Sequence, residues 1–159
     1  YLGRYAGFRI HECFRMDTAA AEQALRENAL TVKGKGGKVR TVPIEDERIL
    51  MMLKRVLAQT ERGHKLLVPD GMPTDRSINA LELFIYRHRN EISDEGSDRR
   101  LTFHGLRHTY AAEKYTRLTE GGMSAIDAHY TVSRLLGHER ADVTNIYLAS
   151  VRKRGRDGE

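Results

Sequence analysis

The chain has 159 residues, 40% apolar and 31% charged, a balance that excludes a disordered polyelectrolyte, and at this length roughly 70% of the unfolded surface can be buried without covalent staples. Lysine and arginine outnumber acidic residues 27 to 22, for a net charge of +5 and an isoelectric point near 9.5, which favours polyanionic partners. A single cysteine, Cys13, excludes an internal disulfide, and no apolar run reaches the roughly 18 residues of a membrane span. With no signal-peptide pattern, a soluble, cytoplasmic protein is expected. The chain opens on Tyr1 rather than Met, within sequence that already reads as structured, which suggests a fragment of a longer protein.

Residues 1–15 read as a helix with Leu2, Tyr5, Phe8 and Ile10 on its apolar side. "ALTVK" (29–33) and "KVRTVPI" (38–44) are β-rich and flank "GKGG", which predicts a hairpin with Lys35 at its tip. The stretch 45–60 starts with acidic residues and continues with Ile49, Leu50, Leu53, Val56 and Leu57 at helical spacing, so it predicts a core helix. A short strand over 65–69 and the turn "PDGMP" follow, then a helix over 77–91 capped by Asp75 or Thr74. After a polar loop at 94–100, Thr102 is the expected N-cap of a helix that carries "HGLRH" and runs through "TYAAEKYTRL". Ser124 and Asp127 form a capping-box pair for a helix from about 125 to Leu136, ending before Gly137, and a last helix over 141–149 contains Tyr147. The fold class is therefore α+β, mostly helical with one small antiparallel sheet and no internal repeat.

"HGLRH" (104–108) crowds cationic groups onto one turn. His104 and His108 have the i, i+4 spacing of zinc proteases, but the glutamate of H-E-x-x-H is missing and the fixed charge of Arg107 opposes a divalent cation. "GKGGKV" is not a phosphate-binding P-loop, because Val39 follows Lys38 where Ser or Thr is needed and no glycine stands five positions before Gly37. The anion reading uses what is present: His104 and Arg107, at i, i+3, project from one side of a helix near its N-terminus, where both the guanidinium fork and the helix dipole attract phosphate. Arg9, Lys35, His138 and Tyr147 each have a structural explanation when taken singly: an ion pair with Glu12, an exposed turn, a helix C-cap and a core aromatic.

Together, "GFRIHE", "VKGKGGKVRTVPI", "LTFHGLRHTYAAE" and "LLGHERADVTNIY" are similar, in wording and order, to the motifs of the tyrosine recombinases, or phage integrases. The resemblance covers the chain from Arg9 to Tyr147. It implies that residues 1–159 are a catalytic domain without the family's N-terminal DNA-clamping domain, and that the catalytic set is Arg9, Lys35, His104, Arg107, His138 and Tyr147. Glu12 resembles the acidic partner of the first arginine, His108 matches a less essential position, and Lys35 is preferred to Lys33 and Lys38 because it aligns with the lysine of the G-K-G turn. Two departures stand out: Phe103 occupies a position where the family commonly has proline, and "RLTEGGMSAIDAHY" lengthens the span from Arg107 to His138.

The resemblance further implies double-stranded DNA as partner, a homotetramer on DNA, and no metal, ATP or other cofactor. Tyr147 is expected to attack a phosphodiester, with His104 accepting its proton and Lys35 protonating the departing 5′ oxygen. The product is a 3′-phosphotyrosine. The helix at 77–91 and the basic residues near 38–40 are the expected DNA contacts. A type IB topoisomerase, a non-cleaving DNA-binding regulator and a zinc hydrolase are the rival readings.

Overall fold

The computed structural model describes residues 1–34, 37–92 and 100–138, together with Thr144, Asn145 and Leu148. The expected hairpin tip at Lys35, the polar loop at 94–100 apart from Arg100, and the expected last helix over 141–149 apart from those three residues lie outside the described residues.

The first helix is two: α1 (Leu2–Ala6) and α2 (Ile10–Cys13). Gly7 breaks them apart by adopting a left-handed φ of 64°, and its backbone N–H closes α1 on the carbonyl of Leu2. A side chain there is impossible without rearrangement, since a Cβ on Gly7 would lie 2.4 Å from Cδ1 of Tyr110. Helix α3 (Thr18–Glu27) was not expected from the apolar periodicity, because its buried face is made of Thr18, Ala21 and Ala24 rather than large apolar residues. Its start is nevertheless conventional: Asp17 accepts the Ala20 amide at 2.8 Å.

Strands β1 (Ala29–Lys33) and β2 (Val39–Pro43) pair antiparallel, with Leu30 opposite Val42 and Val32 opposite Arg40. Helix α4 (Glu47–Leu57) is capped by Asp46, which accepts the Arg48 amide, and buries Ile49 and Leu53. The strand expected at 65–69 does not form. Among the described residues its only pairing is an isolated bridge between Lys65 and Asp17, where the Leu66 amide donates to Met16 and the Thr18 amide to His64. A strand needs a neighbour of similar length, and the Asp17 segment turns directly into α3.

Helix α5 (Thr74–Ile92) begins one turn before the expected start. Neither Thr74 nor Asp75 precedes it as a cap; both lie within its first turn, behind Pro73, and the Thr74 hydroxyl accepts from Lys65 at 2.7 Å. Helices α6 (Phe103–Glu120) and α7 (Ala125–Leu136) start at the expected caps: Thr102 accepts the Gly105 amide at 2.9 Å, and Ser124 accepts the Asp127 amide at 3.1 Å.

The main core gathers Phe8, Phe14, Leu30, Val42, Ile49 and Leu53 from α4, the hairpin and the first segments of the chain. A second cluster, Ala111, Val132 and Leu136, joins α6 to α7. Phe103 packs on the main core and fills the space above Gly3, where a Cβ would meet its ring at 2.9 Å. This close approach seats α1 on α6, and the Arg4–Glu113 pair, at 2.6 and 2.7 Å, clamps it from outside.

Candidate anion-binding site

Arg107 is wholly buried, an uncommon place for a guanidinium. It is tolerated because two helix ends turn toward it. Gly7 and Gly137 are both left-handed C-caps, with φ of 64° and 65°, and they leave the carbonyls of Gly7 and Leu136 open at the negative ends of α1 and α7. Arg107 Nη1 donates to Gly7, and Nη2 donates to Leu136 at 2.6 Å. Thus the second cation of "HGLRH" locks α1, α6 and α7 together.

Arg107 Nη2 also lies 3.2 Å from Nε2 of His138. A guanidinium has no acceptor, so Nε2 must be the acceptor and the imidazole proton must sit on Nδ1, 2.8 Å from the Thr144 hydroxyl. Burial, and then the nearby Arg107, Arg9 and Arg40, push the His138 pKa down to about 4, which agrees with a neutral ring. His104 is lowered as well, by burial and then by Arg107 and Arg9. Its ring meets that of His108 edge to face, with centroids 4.8 Å apart.

Arg9 stands at the N-cap of α2, where its extended backbone lets Glu12 reach back to it. Glu12 accepts the Arg9 amide at 2.7 Å and its Nη1 at 3.2 Å. The same carboxylate, almost fully buried, is gripped on both oxygens by Arg40 at 2.8 and 2.7 Å. Burial would push the Glu12 pKa up; hydrogen bonds from Arg40 and from the Arg9 amide outweigh it and hold the carboxyl at about 2.

Arg9, His104 and Arg107 line one cleft of about 590 Å³, with His11, Arg100 and Arg89 of α5 on its other walls. Of the residues singled out in the sequence, these three and His138 come together, and Glu12 holds Arg9 as expected. Lys35 and Tyr147 lie outside the described residues. Among the described residues, a Cβ at Gly34 would lie 4.0 Å from Glu12, and the Thr144 hydroxyl lies 2.8 Å from Nδ1 of His138.

Arg40 is the site residue that the sequence reading missed. It belongs to the basic residues near 38–40 that are the expected DNA contacts, but its side chain turns inward to Glu12 and the carbonyl of Leu135. The signal was present in the alternation of "KVRTVPI", which puts Arg40 on the same face as Val42 and Ile44. Among the described residues no three His, Cys, Asp or Glu side chains are grouped to share a metal ion. The fixed charges of Arg9 and Arg107 instead suit the cleft to an anion with several oxygens.

A mostly helical α+β domain with one hairpin, enclosing an arginine-lined anion cleft, is the class of protein these features define. The phage integrase family matches residues 2–154, and the chain belongs to that family. Tyrosine recombinase XerD of Pseudomonas putida is 29% identical over 130 residues, which cover 77% of this chain and 39% of that protein. The fold is that of the XerA recombinase, with a TM-score of 0.67 and 21% identity over 99% of this chain and 56% of the other. The Tn1549 transposon integrase in complex with circular intermediate DNA matches similarly, with a TM-score of 0.65, 17% identity, and 99% and 58% of the two chains covered. The chain therefore corresponds to a part of each relative.

Proposed function

We propose that the chain is the catalytic part of a site-specific DNA recombinase that cuts and rejoins strands through a 3′-phosphotyrosine. The observation that carries this reading is the meeting of Arg9 with His104 and Arg107, which lie far from it in sequence, around one cleft. A DNA phosphodiester repels nucleophiles, and its cleavage requires positive charge where the transition state accumulates negative charge. Arginine is the residue that keeps its charge through such a reaction: the Arg9 fork, partly exposed at the cleft wall, can address a non-bridging oxygen, and the buried Arg107 adds its positive charge from the cleft floor.

Tyr147 supplies the nucleophile. Its phenolic oxygen bonds to phosphorus as the bond to the 5′ oxygen breaks; His104, kept neutral by its surroundings, takes the phenolic proton, and Lys35 delivers one to the leaving oxygen. The phosphotyrosine preserves the ester's energy, so a 5′-hydroxyl from another strand reverses the step without ATP. His138 acts through Arg107: with Nε2 accepting from the guanidinium and Nδ1 turned to Thr144, it fixes the direction of the fork. Double-stranded DNA is the substrate, and a tetramer on paired sites is the working assembly, in keeping with relatives whose structures contain DNA.

The test is trapping on nicked duplex DNA that carries candidate element ends. The wild-type chain gives an adduct stable to denaturing electrophoresis and Tyr147→Phe gives none; an undiminished adduct from the variant refutes the assignment. Exchange between two marked sites, set against relaxation of a supercoiled plasmid, separates recombination from topoisomerase activity.

A further inference from the structure

We infer that Arg40 is a positioning residue of the cleavage reaction: it neutralises Glu12 so that the charge of Arg9 remains available to the DNA phosphate, and it ties that arginine to the end of α7. The inference rests on the proposed function and adds to it a residue that the motif reading did not assign to the site.

The argument begins with the distribution of charge. Glu12 has a carboxylate side chain with no solvent exposure, and such a group requires a full counter-charge close by. Among the described residues two arginines are in reach, and they are not equivalent. Arg40 makes a paired, fork-to-fork contact at 2.8 and 2.7 Å with a side chain 9% exposed, whereas the Arg9 guanidinium makes a single contact at 3.2 Å with a side chain 31% exposed. The shorter, bidentate and more deeply buried pair is the stronger one. Glu12 therefore spends its charge on Arg40 and holds Arg9 chiefly through the backbone amide, leaving the Arg9 fork at the cleft wall. Without Arg40, Glu12 would turn to Arg9, its other partner among the described residues, and would compete directly with the phosphate.

The remaining Arg40 donor points the other way. Nε donates to the carbonyl of Leu135 at 2.9 Å, and the side chain runs along the C-cap of α7, where a Cβ on Gly137 would lie 3.1 Å from its Cδ. The next carbonyl, Leu136, accepts from Arg107, and His138 follows the cap. Arg40 also lies over the Phe8 ring at 5.6 Å, directly before Arg9. One side chain on β2 thus joins the segment carrying Arg9 to the helix end that holds Arg107 and His138.

The test compares wild type, Arg40→Lys, Arg40→Met and the double variant Arg40→Met/Glu12→Gln. For each, DNA affinity, the single-turnover rate of adduct formation on nicked duplex at saturating DNA, and the melting temperature are measured. Arg40→Met is expected to lose about a hundredfold or more in rate, with affinity within about threefold of wild type, because the interaction matters to the reacting phosphate and not to duplex binding. Arg40→Lys, which keeps the charge, retains rate to within about tenfold, and the double variant recovers at least about tenfold over Arg40→Met by removing the competitor of the phosphate. Equal rates in wild type and Arg40→Met, or no recovery in the double variant, overturn the inference while leaving the proposed function intact. If Arg40→Met does not fold, the decision rests on the double variant and Arg40→Lys, and a rate loss beyond about a hundredfold in both overturns it. A wild-type chain that forms no adduct on any substrate overturns the proposed function first, and this inference with it.

Discussion

Gly7→Ala tests whether the break between α1 and α2 holds the site together. The substitution first forces a non-glycine residue to a φ of 64°, which costs about 1–2 kcal/mol. It then drives a methyl group to 2.4 and 2.7 Å from Cδ1 and Cε1 of Tyr110 and 3.1 Å from Leu136, and relieving such overpacking costs about 1–3 kcal/mol more. The sum, about 2–5 kcal/mol, corresponds to a fall in melting temperature of about 4–20 °C, since each kcal/mol is worth roughly 2–4 °C at this chain length. Gly122→Ala is the control: its φ of 91° carries the backbone cost, but nothing lies within 4 Å of a Cβ there. Thermal unfolding of both variants, followed by circular dichroism, isolates the contribution of the contacts with Tyr110 and Leu136. If Gly7→Ala melts no lower than Gly122→Ala, the packing of the Gly7 turn against α6 is not what fixes the Gly7 carbonyl, and the account of how Arg107 is held fails.

Arg107→Lys keeps the charge but cannot reach the carbonyls of Gly7 and Leu136 and the His138 ring together; the expected result is a lower melting temperature and a cleavage rate reduced by about a hundredfold or more, read by denaturing gel and calorimetry. Acidification should weaken the fold in two stages. His138, whose folded pKa is lowered to about 4 from 6.5, contributes stability above pH 6.5 that is lost as pH falls toward 4; Glu12, lowered to about 2 from 4.5, contributes stability above pH 4.5 that is lost as pH falls toward 2. The Glu12 share is on the order of 3 kcal/mol, so urea melts of Glu12→Gln between pH 5 and pH 2 should show a flatter pH dependence than wild type, and an identical slope contradicts the assignment.

Much of the fold was legible because it is local. Thr102, Ser124 and the acidic start of α4 mark helix beginnings through side chains that reach amides only two or three residues on, and "GKGG" between two β-rich runs needs only its own turn chemistry. Where the reading failed, the deciding partner was far away in sequence. The strand at 65–69 had only the short Asp17 segment to pair with, the alanine face of α3 became a core face only because β1 and α4 cover it, and the helix expected over 1–15 broke at Gly7 because Tyr110 and Leu136 occupy the space beside it.

The same division runs through the site. Sequence alone determined which chemical groups the chain possesses, in what order, and hence the family they resemble: two arginines, two histidines, a lysine in a glycine turn and a late tyrosine. Only the tertiary structure decided what the described groups do to one another. Arg107 is buried because two left-handed glycine caps turn carbonyls toward it, His138 is neutral because that guanidinium can only donate, and Arg40 serves Glu12 because strand pairing with Val32 turns it inward. Electrostatic partnership depends on separation and burial in space, and neither is encoded in the neighbouring residues of the chain.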